Sequence, residues 1–290
     1  MADTLDKLVN STSLGDVIAI DFVNKFGYDI NELLQVLGVT RRVTLSQDQK
    51  VQTYKFTTTM ADIAAVGEGE DIPLSTVTKA KDREFAIALN KYRKITTLEA
   101  IRKYGKDAAV NQTDKKILEE IQDSFKTKFF SYLATAPTKQ SATGLQQALS
   151  LGWAKAKGFF RGNVPIISFV SPMDVATYLG DAPIVSSTPT AYGFTILTNF
   201  LNQTVAVFDS LPAGTIYTTA AENIVLANAN VTTSEIASTF NFTGDESGLI
   251  GMLHDVNTTN LTTQTVIVEG TQLFTEVLDG VVATTITPKA

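Results

Sequence analysis

The C-terminal part of the chain carries almost no positive charge, and this limits both what it folds into and what it binds. Of the 24 Lys and Arg residues in the 290-residue sequence, 23 lie at or before position 161 and only Lys289 follows. Residues 162–288 consist instead of short runs of Val, Ile, Thr, Phe and Asn separated by Gly and Pro, which favours β-strands. A segment without cations cannot neutralise phosphates or lie against an anionic membrane, so we exclude a nucleotide-binding or nucleic-acid-binding module here.

The formal charge is split between the two parts of the chain. Up to position 161, 23 basic and 19 acidic residues give +4, whereas 1 basic and 11 acidic residues beyond it give −10, for a total of −6. This polarity indicates complementary surfaces on neighbouring copies as readily as it indicates two domains with different tasks.

The sequence contains no covalent staple and no targeting segment. It has no Cys, so neither disulfides nor thiolate metal sites support the fold. The first residues show no basic patch followed by an apolar stretch, and no apolar segment approaches the length of a membrane span. We therefore expect a protein that is made and kept in a cytoplasm-like compartment and has no membrane partner.

The N-terminal part predicts an arm followed by a long hairpin. Residues 14–26 and 30–37 show short helical patterns, and residues 50–59 alternate as a strand does. Phe85, Ile87 and Leu89 alternate in the same way and predict the second strand, which leaves residues 60–83 as a connection of 24 residues. An isolated two-stranded ribbon is marginal in water, so a neighbouring copy is the simplest element to cover it.

The middle of the chain predicts helices. Residues 98–104 predict a short helix, and residues 113–134 predict the longest one, with Thr113 as its N-cap and apolar side chains at steps of four. Residues 144–157 predict a further helix. Residues 164–170 predict a buried strand, and Ser171 then serves as the N-cap of another helix that has Pro at its first position.

Further strands are predicted in the C-terminal part from short β-branched runs. They lie at residues 205–208, 215–217, 224–226, 249–254, 265–269 and 281–287.

No set of residues in the sequence supports catalysis or cofactor binding. The only His, His254, has no Ser at a nucleophile elbow, and residues 67–72 begin like a dinucleotide fingerprint but place three carboxylates where a pyrophosphate would lie. Consecutive carboxylates such as Glu119 and Glu120 indicate a solvated helix face rather than a general acid and base. We predict that the protein is not an enzyme and has no catalytic, cofactor-binding or metal-binding residues. A basic cluster is interpreted as a solvent-facing or partner-facing surface rather than a nucleic-acid site: Lys91, Arg93, Lys94, Arg102, Lys103 and Lys106.

Several stretches, taken in order, resemble a known family. They are residues 66–73 (VGEGEDIP), 85–92 (FAIALNKY), 164–172 (VPIISFVSP), 178–180 (YLG) and 211–217 (LPAGTIY). Together with the order arm, long hairpin, long helix and strand–helix, they resemble the major capsid protein of tailed bacteriophages, the Hong Kong 97-type shell subunit.

The resemblance implies an α+β fold in which function lies in interfaces between copies. Its parts are an N-terminal arm (1–44), an extended β-hairpin loop (45–90), a peripheral domain with the long helix (91–136), an axial domain (137–245), further peripheral strands (246–279) and a final axial strand (280–290). The hairpin is expected to supply inter-subunit contacts at Tyr54, Phe56, Glu68, Glu70, Asp71, Lys79 and Lys81. Copies would form hexamers and pentamers of an icosahedral virion head.

The resemblance also implies further partners and a place of assembly. The expected partners are the portal protein, a separate scaffolding protein and packaged double-stranded DNA, with assembly in the bacterial host cytoplasm. Some relatives join their subunits through a Lys–Asn isopeptide bond, but the sequence locates no matching set and we do not predict cross-linking.

Other functions remain open from the sequence. One is an encapsulin-like compartment of the same fold, which would enclose enzymes rather than a genome. Another is a Thr-rich β-sheet module that binds glycans or belongs to a phage tail. An enzyme that uses carboxylates and a bound metal is a third. The contents and the size of the purified particles distinguish these possibilities.

Overall fold

The structure is a computed structural model of the chain. It describes residues 41–45, 50–61, 71, 74–180, 190–191, 194–201, 203–229, 231, 239–240, 242–244 and 249–287. The helices in these ranges are α1 (Leu98–Tyr104), α2 (Gln112–Leu133), α3 (Gly144–Phe160) and α4 (Pro172–Gly180). The strands are β1 (Arg41–Leu45), β2 (Lys50–Thr59), β3 (Thr76–Ala86), β4 (Asn90–Thr97), β5 (Thr138–Thr143), β6 (Ile166–Val170), β7 (Thr190–Ala191), β8 (Phe194–Phe200), β9 (Gln203–Val207), β10 (Thr215–Ala220), β11 (Ile224–Ala229), β12 (Thr243–Gly244), β13 (Ile250–Asn257), β14 (Thr262–Glu269), β15 (Thr271–Thr275) and β16 (Val282–Thr287).

The largest sheet is mixed and has the order β5-β16-β10-β6-β9-β8-β7. Two of its pairings, β16 with β5 and β6 with β9, are parallel. Helix α3 lies on one face and buries Leu145, Ala148 and Leu149 against side chains of β6, β9 and β10. Helix α4 begins directly after β6, where the Ser171 hydroxyl accepts a hydrogen bond from the Met173 amide at 3.3 Å.

A four-stranded antiparallel sheet, in the order β12-β13-β14-β4, is covered by α2. The apolar face of α2 packs on Met252 and Ile267 of this sheet. Through Phe130 it also packs on Phe169 of the large sheet and on Phe208, the residue after β9. The centroid of the Phe130 ring lies 5.7 Å from that of Phe169 and 5.3 Å from that of Phe208. The two sheets therefore share one aromatic core around α2, which fixes them relative to each other.

The remaining strands form a three-stranded sheet, β1-β11-β15, and a two-stranded antiparallel ribbon of β2 and β3. The ribbon joins the body at its base. There the Phe85 ring stacks on Phe274 of β15, with centroids 4.4 Å apart, and meets the edge of Tyr132 of α2 at 5.8 Å.

Most of the predicted elements are confirmed. Strand β2, helix α1 and the cap at Ser171 lie where the sequence placed them, and α2 differs by one residue at each end. The predicted C-terminal strands correspond to β9, β10, β11, β13, β14 and β16. The helical patterns at residues 14–26 and 30–37 lie outside the described residues.

Two predictions are wrong. Strand β3 spans Thr76–Ala86, so the second hairpin strand begins much earlier than Phe85 and ends before Ile87 and Leu89. Thr113 is not an N-cap, because a π-helical stretch, Asp107–Asn111, leads directly into α2. The Thr113 hydroxyl instead donates back to the carbonyls of Ala109 and Val110, each at 2.9 Å.

Gly152 of α3 packs so closely on β10 that there is no room for a side chain. A Cβ at this position would lie 2.7 Å from Thr218 Oγ1, which is fully buried and held by Ser168 Oγ at 2.8 Å. Gly158, in the same helix, has open space around its Cα. We expect Gly158→Ala to raise the free energy of unfolding by about 0.5–1 kcal/mol through helix propensity. Gly152→Ala should lower it by about 1 kcal/mol, because overpacking outweighs that gain.

Urea unfolding of the dissociated subunit measures both substitutions. The packing argument is wrong if Gly152→Ala stabilises the subunit as much as Gly158→Ala does.

Candidate assembly surface

The ribbon protrudes from the body beyond its base. In β2 the side chains from Tyr54 onwards are exposed, and in β3 those from Thr76 to Asp82 are exposed. Two strands with no third neighbour present unpaired backbone groups along both edges, so this part of the described chain is the part that most lacks partners.

A β-bulge decides which side chains face outward. Thr53 pairs with Arg83 while the next residue, Tyr54, pairs with Lys81, so Asp82 is the extra residue. The bulge reverses the alternation of β3 beyond that point. Lys79 and Lys81 would otherwise lie on the face of Phe85, which packs against the body, and instead they lie on the opposite face.

The outer face of the ribbon, defined here as Tyr54, Phe56, Val77, Lys79 and Lys81, combines aromatic and cationic side chains. Phe56 and Val77 are 63% and 64% exposed. The ammonium group of Lys79 lies 3.7 Å from the centroid of the Tyr54 ring and 5.9 Å from that of Phe56. Such contacts order the two aromatic rings without burying them.

The structure brings together four of the side chains predicted from the sequence: Tyr54, Phe56, Lys79 and Lys81. Asp71 is exposed and has no described contact with this face, and Glu68 and Glu70 lie outside the described residues. Val77 was missed. The pattern Thr-Val-Thr-Lys-Ala-Lys at residues 76–81 alternates as a strand does and could have indicated it.

Ion pairs hold the ribbon at two levels. Near its base, the Glu84 carboxylate binds Lys81 and lies 2.6 Å from Lys50 Nζ. The hydrogen bonds that Lys50 and Lys81 donate to this carboxylate lower the pKa of Glu84 to about 2, and the bond from Lys50 to Glu84 raises the pKa of Lys50. Farther out, on the face toward the body, Lys55 Nζ lies 2.5 Å from Asp279, and this hydrogen bond raises the pKa of Lys55.

Lys79 differs from these lysines because its ammonium group has no carboxylate partner among the described residues. Within the described part of the ribbon, the outer face therefore presents a positive charge without a carboxylate partner beside exposed aromatic rings.

A groove, which we name the α2–β4 groove, runs between the N-terminal half of α2 and strand β4. Its volume is about 480 Å³. Tyr92, Ile117 and Ile121 supply apolar side chains, and the other lining residues are Lys94, Thr113, Lys116, Glu120 and Ser124. The sequence analysis did not find it, because the groove depends on how α2 packs on the sheet.

A buried charge cluster fixes the end of α2 beside this groove. Asp114 is 1% exposed, binds the Lys94 ammonium and lies 3.2 Å from His254 Nε2 through its other oxygen. Lys94 also donates to Thr113 Oγ1 at 2.6 Å and to the Val110 carbonyl at 3.0 Å. His254 of β13 thus joins the four-stranded sheet to the N-terminal end of α2 through Asp114.

The basic cluster predicted from the sequence does not form one surface. Lys94 points inward to Asp114, whereas Arg93, on the opposite face of β4, donates to Gln264 at 2.9 Å. The alternation of β4 separates these two side chains.

Two further properties bear on the class of protein. In the described ranges, His, Asp and Glu side chains do not gather in groups of three or more that could hold a metal ion. The helices described above are all too short or too polar to cross a membrane.

The chain resembles known proteins in structure but not in sequence. No protein-family model matches the sequence, and no curated protein matches it. Among solved structures it is similar to that of Gordonia phage Cozz, with a TM-score of 0.59, 9% identity and coverage of 89% of this chain and 87% of that chain. The capsid structure of cyanophage P-SCSP1u matches with a TM-score of 0.57, 9% identity and 86% of each chain.

The holo-SrpI encapsulin complex from Synechococcus elongatus PCC 7942 is similar to the same degree, with a TM-score of 0.57, 9% identity and coverage of 87% of this chain and 86% of that chain. Likeness at this identity establishes the fold. The chain has the α+β, Hong Kong 97-type fold of capsid proteins.

The ion pairs at the ribbon base predict an unusual titration. Because the folded-state pKa of Glu84 is about 2, below its ordinary value of 4.5, its contribution to stability is present above pH 4.5 and is lost as the pH falls toward 2. Carbon-13 NMR of the carboxyl group should give a midpoint near 2. Lys50→Gln should raise that midpoint, whereas Lys116→Gln, on α2, should leave it unchanged. A midpoint near 4.5 in the unsubstituted protein would contradict the ion pairs.

Proposed function

We propose that this chain is the major capsid protein of a tailed bacteriophage. Copies assemble into hexamers and pentamers that close an icosahedral head around the genome. The observation that carries the proposal is the protruding ribbon, whose outer face is aromatic and cationic, on a chain with the Hong Kong 97-type fold. Its role is structural rather than catalytic.

The proposal includes a division of the chain into domains. We assign the peripheral domain to residues 91–136 and 246–279, which include α2 and the strands β4, β13 and β14 that it covers. The axial domain comprises residues 137–245 and 280–290, which include α3, α4 and most of the large sheet, with β16 returning beside β5 and β10. The extended loop is residues 45–90, and the arm is residues 1–44.

The partners and the location follow from this role. The chain's partners are other copies of itself, a portal protein, a separate scaffolding protein and the packaged double-stranded DNA. The place of assembly is the host cytoplasm and the final location is the virion.

An encapsulin-like compartment is the second candidate. It is supported by the likeness to the SrpI encapsulin complex, which has the same TM-score as the likeness to the cyanophage capsid. The two candidates differ in what the shell contains, since a phage head encloses nucleic acid and an encapsulin encloses protein cargo.

Size measurement tests the proposal. We expect the full chain, expressed in bacteria and purified, to form closed shells that light scattering and negative-stain microscopy detect. Nuclease-resistant DNA inside particles from infected cells supports the phage head, and a co-purifying enzyme supports the encapsulin. A compact monomer at all concentrations, with the ribbon folded back on its own body, contradicts both.

We expect substitution of the exposed aromatic ring on the ribbon to weaken assembly without destabilising the folded subunit. Because Phe56 is 63% exposed, Phe56→Ser should leave the melting temperature of the dissociated subunit unchanged while it raises the concentration needed for assembly. Phe85→Ser is the matched variant at the buried base, and it should lower the melting temperature as well. Unchanged assembly of Phe56→Ser would exclude this side chain from the contacts between copies.

A further inference from the structure

We propose that the buried charge cluster at the N-terminal end of α2 includes a binding site for a single water molecule, held between His254 of β13 and Thr265 of β14. The water donates a hydrogen bond to His254 Nδ1 and accepts one from the Thr265 hydroxyl. Thr265 is thereby a positioning residue, because it fixes the imidazole ring against Asp114. The inference concerns the core of the subunit and does not rest on the proposed function.

Two buried polar atoms point to this site. Neither His254 Nδ1 nor Thr265 Oγ1 has a hydrogen-bond partner among the described residues. The His254 side chain is 10% exposed and Thr265 is 1% exposed, so bulk solvent does not serve them. Buried polar atoms in native proteins are nearly always bonded to protein or to an ordered water. Each of these atoms therefore requires a partner that the described side chains do not supply.

The strand register brings the two atoms to the same place. His254 and Thr265 are directly opposite each other in the antiparallel pairing of β13 with β14, so both side chains lie on the same face of the sheet. The Cβ atoms of such a pair are about 4.5–5.5 Å apart. The two side chains do not hydrogen-bond to each other. One water between them would satisfy both.

Asp114 determines which nitrogen of the imidazole needs a donor. Its carboxylate lies 3.2 Å from His254 Nε2, and a carboxylate can only accept hydrogen bonds. In the neutral ring Nε2 therefore carries the proton and Nδ1 is an acceptor. The partner of Nδ1 must then be a group that donates a hydrogen.

The nearby ammonium group does not supply that hydrogen. Lys94 is opposite Thr265 on the other side of β14, in the same row across the sheet. Its three hydrogens are taken by Asp114, by Thr113 Oγ1 and by the Val110 carbonyl. Lys94 thus holds one oxygen of Asp114 while His254 holds the other, and the need at Nδ1 remains.

The chemistry of the two atoms selects water rather than an ion. An acceptor nitrogen beside a hydroxyl matches a molecule that donates one hydrogen and accepts another. An anion would bring no hydrogen for His254 Nδ1. A cation would need several further oxygen ligands, and in the described part of the chain His, Asp and Glu do not form a group of three or more that could provide them.

The α2–β4 groove offers water a route to the cluster. Lys94 and Thr113, which both line the groove, also belong to the hydrogen-bonded cluster around Asp114. The water site is therefore buried but close to a surface depression, and the bound molecule can exchange with solvent without unfolding of the sheet.

NMR of the dissociated subunit tests the site, and the single His of the chain makes the signals unambiguous. We expect the nitrogen-15 shifts to show a protonated Nε2 and an unprotonated Nδ1, with a nuclear Overhauser effect between water and the ring proton that lies between them. Thr265→Val keeps the shape of the side chain and removes the hydroxyl, so this effect should be lost. Thr265→Ser should retain it. Thr263→Val, the same substitution elsewhere in β14, is the control and should also retain it.

A double-substitution cycle separates the water from a general packing effect. Thr265→Val should raise the equilibrium constant for unfolding by about tenfold, because the water loses a partner and Nδ1 is left poorly bonded. His254→Gln keeps a donor for Asp114 but has no Nδ1. In that background Thr265→Val should change the constant by less than about twofold. Urea unfolding measures all four proteins.

Each outcome decides the inference. A water signal that depends on the Thr265 hydroxyl, together with coupling between positions 254 and 265, supports it. The inference is overturned if the unsubstituted protein shows no such signal, if Nδ1 carries the proton, or if a high-resolution map shows His254 and Thr265 bonded directly. An equal effect of Thr265→Val with and without His254 overturns the positioning role of Thr265.

Discussion

The stacking of Phe85 on Phe274 is the contact on which the position of the ribbon depends. It joins β3 of the ribbon to β15 of the body, and Tyr132 of α2 closes the same cluster from the side. A two-stranded ribbon cannot bury its own apolar side chains, so its direction is set where it meets the body. The residues of β2 from Tyr54 onwards are held in position by this base and by the Lys55–Asp279 ion pair, and their side chains are exposed.

The body to which the ribbon is anchored owes its rigidity to α2. One face of this helix carries the aromatic core that the large sheet and the four-stranded sheet share. Its N-terminal end is fixed by the buried carboxylate of Asp114, between Lys94 of β4 and His254 of β13. Removal of one member of such a cluster leaves a buried charge without a partner, which is why these polar residues are as structural as the apolar core. The same arrangement shapes the wall of the α2–β4 groove.

The structure shows which cations of the basic N-terminal part are paired within the chain. The sequence shows only that cations are concentrated before position 162. In the structure most of the lysines and arginines with described contacts are bound to neighbours in the same chain, and Lys79 is distinguished because it rests on aromatic rings instead. Net charge is therefore less informative than the surroundings of each cation, because Lys50, Lys55 and Lys94 are already paired with carboxylates of the same chain.

The sequence by itself determined the local elements. The alternation at residues 50–59 and the apolar steps of four along α2 come from hydrophobic periodicity, which depends only on near neighbours, and so β2 and α2 were predicted closely. Strands with polar faces were missed: β4 was interpreted as a basic cluster, and β15 was not identified. Their strand conformation is imposed by pairing with β14 and β11, which are distant in sequence.

Only the tertiary structure decided where the outer face of the ribbon and the α2–β4 groove lie. The bulge at Asp82 reverses the alternation of β3 and thereby turns Lys79 and Lys81 outward, which no local pattern indicates. The α2–β4 groove likewise exists only once the helix packs on the sheet. Strand register and helix packing are set by contacts between residues far apart in the chain, whereas periodicity is set by residues next to one another. The sequence therefore predicted the ribbon, and the packing of the chain decided which of its side chains face away from the body.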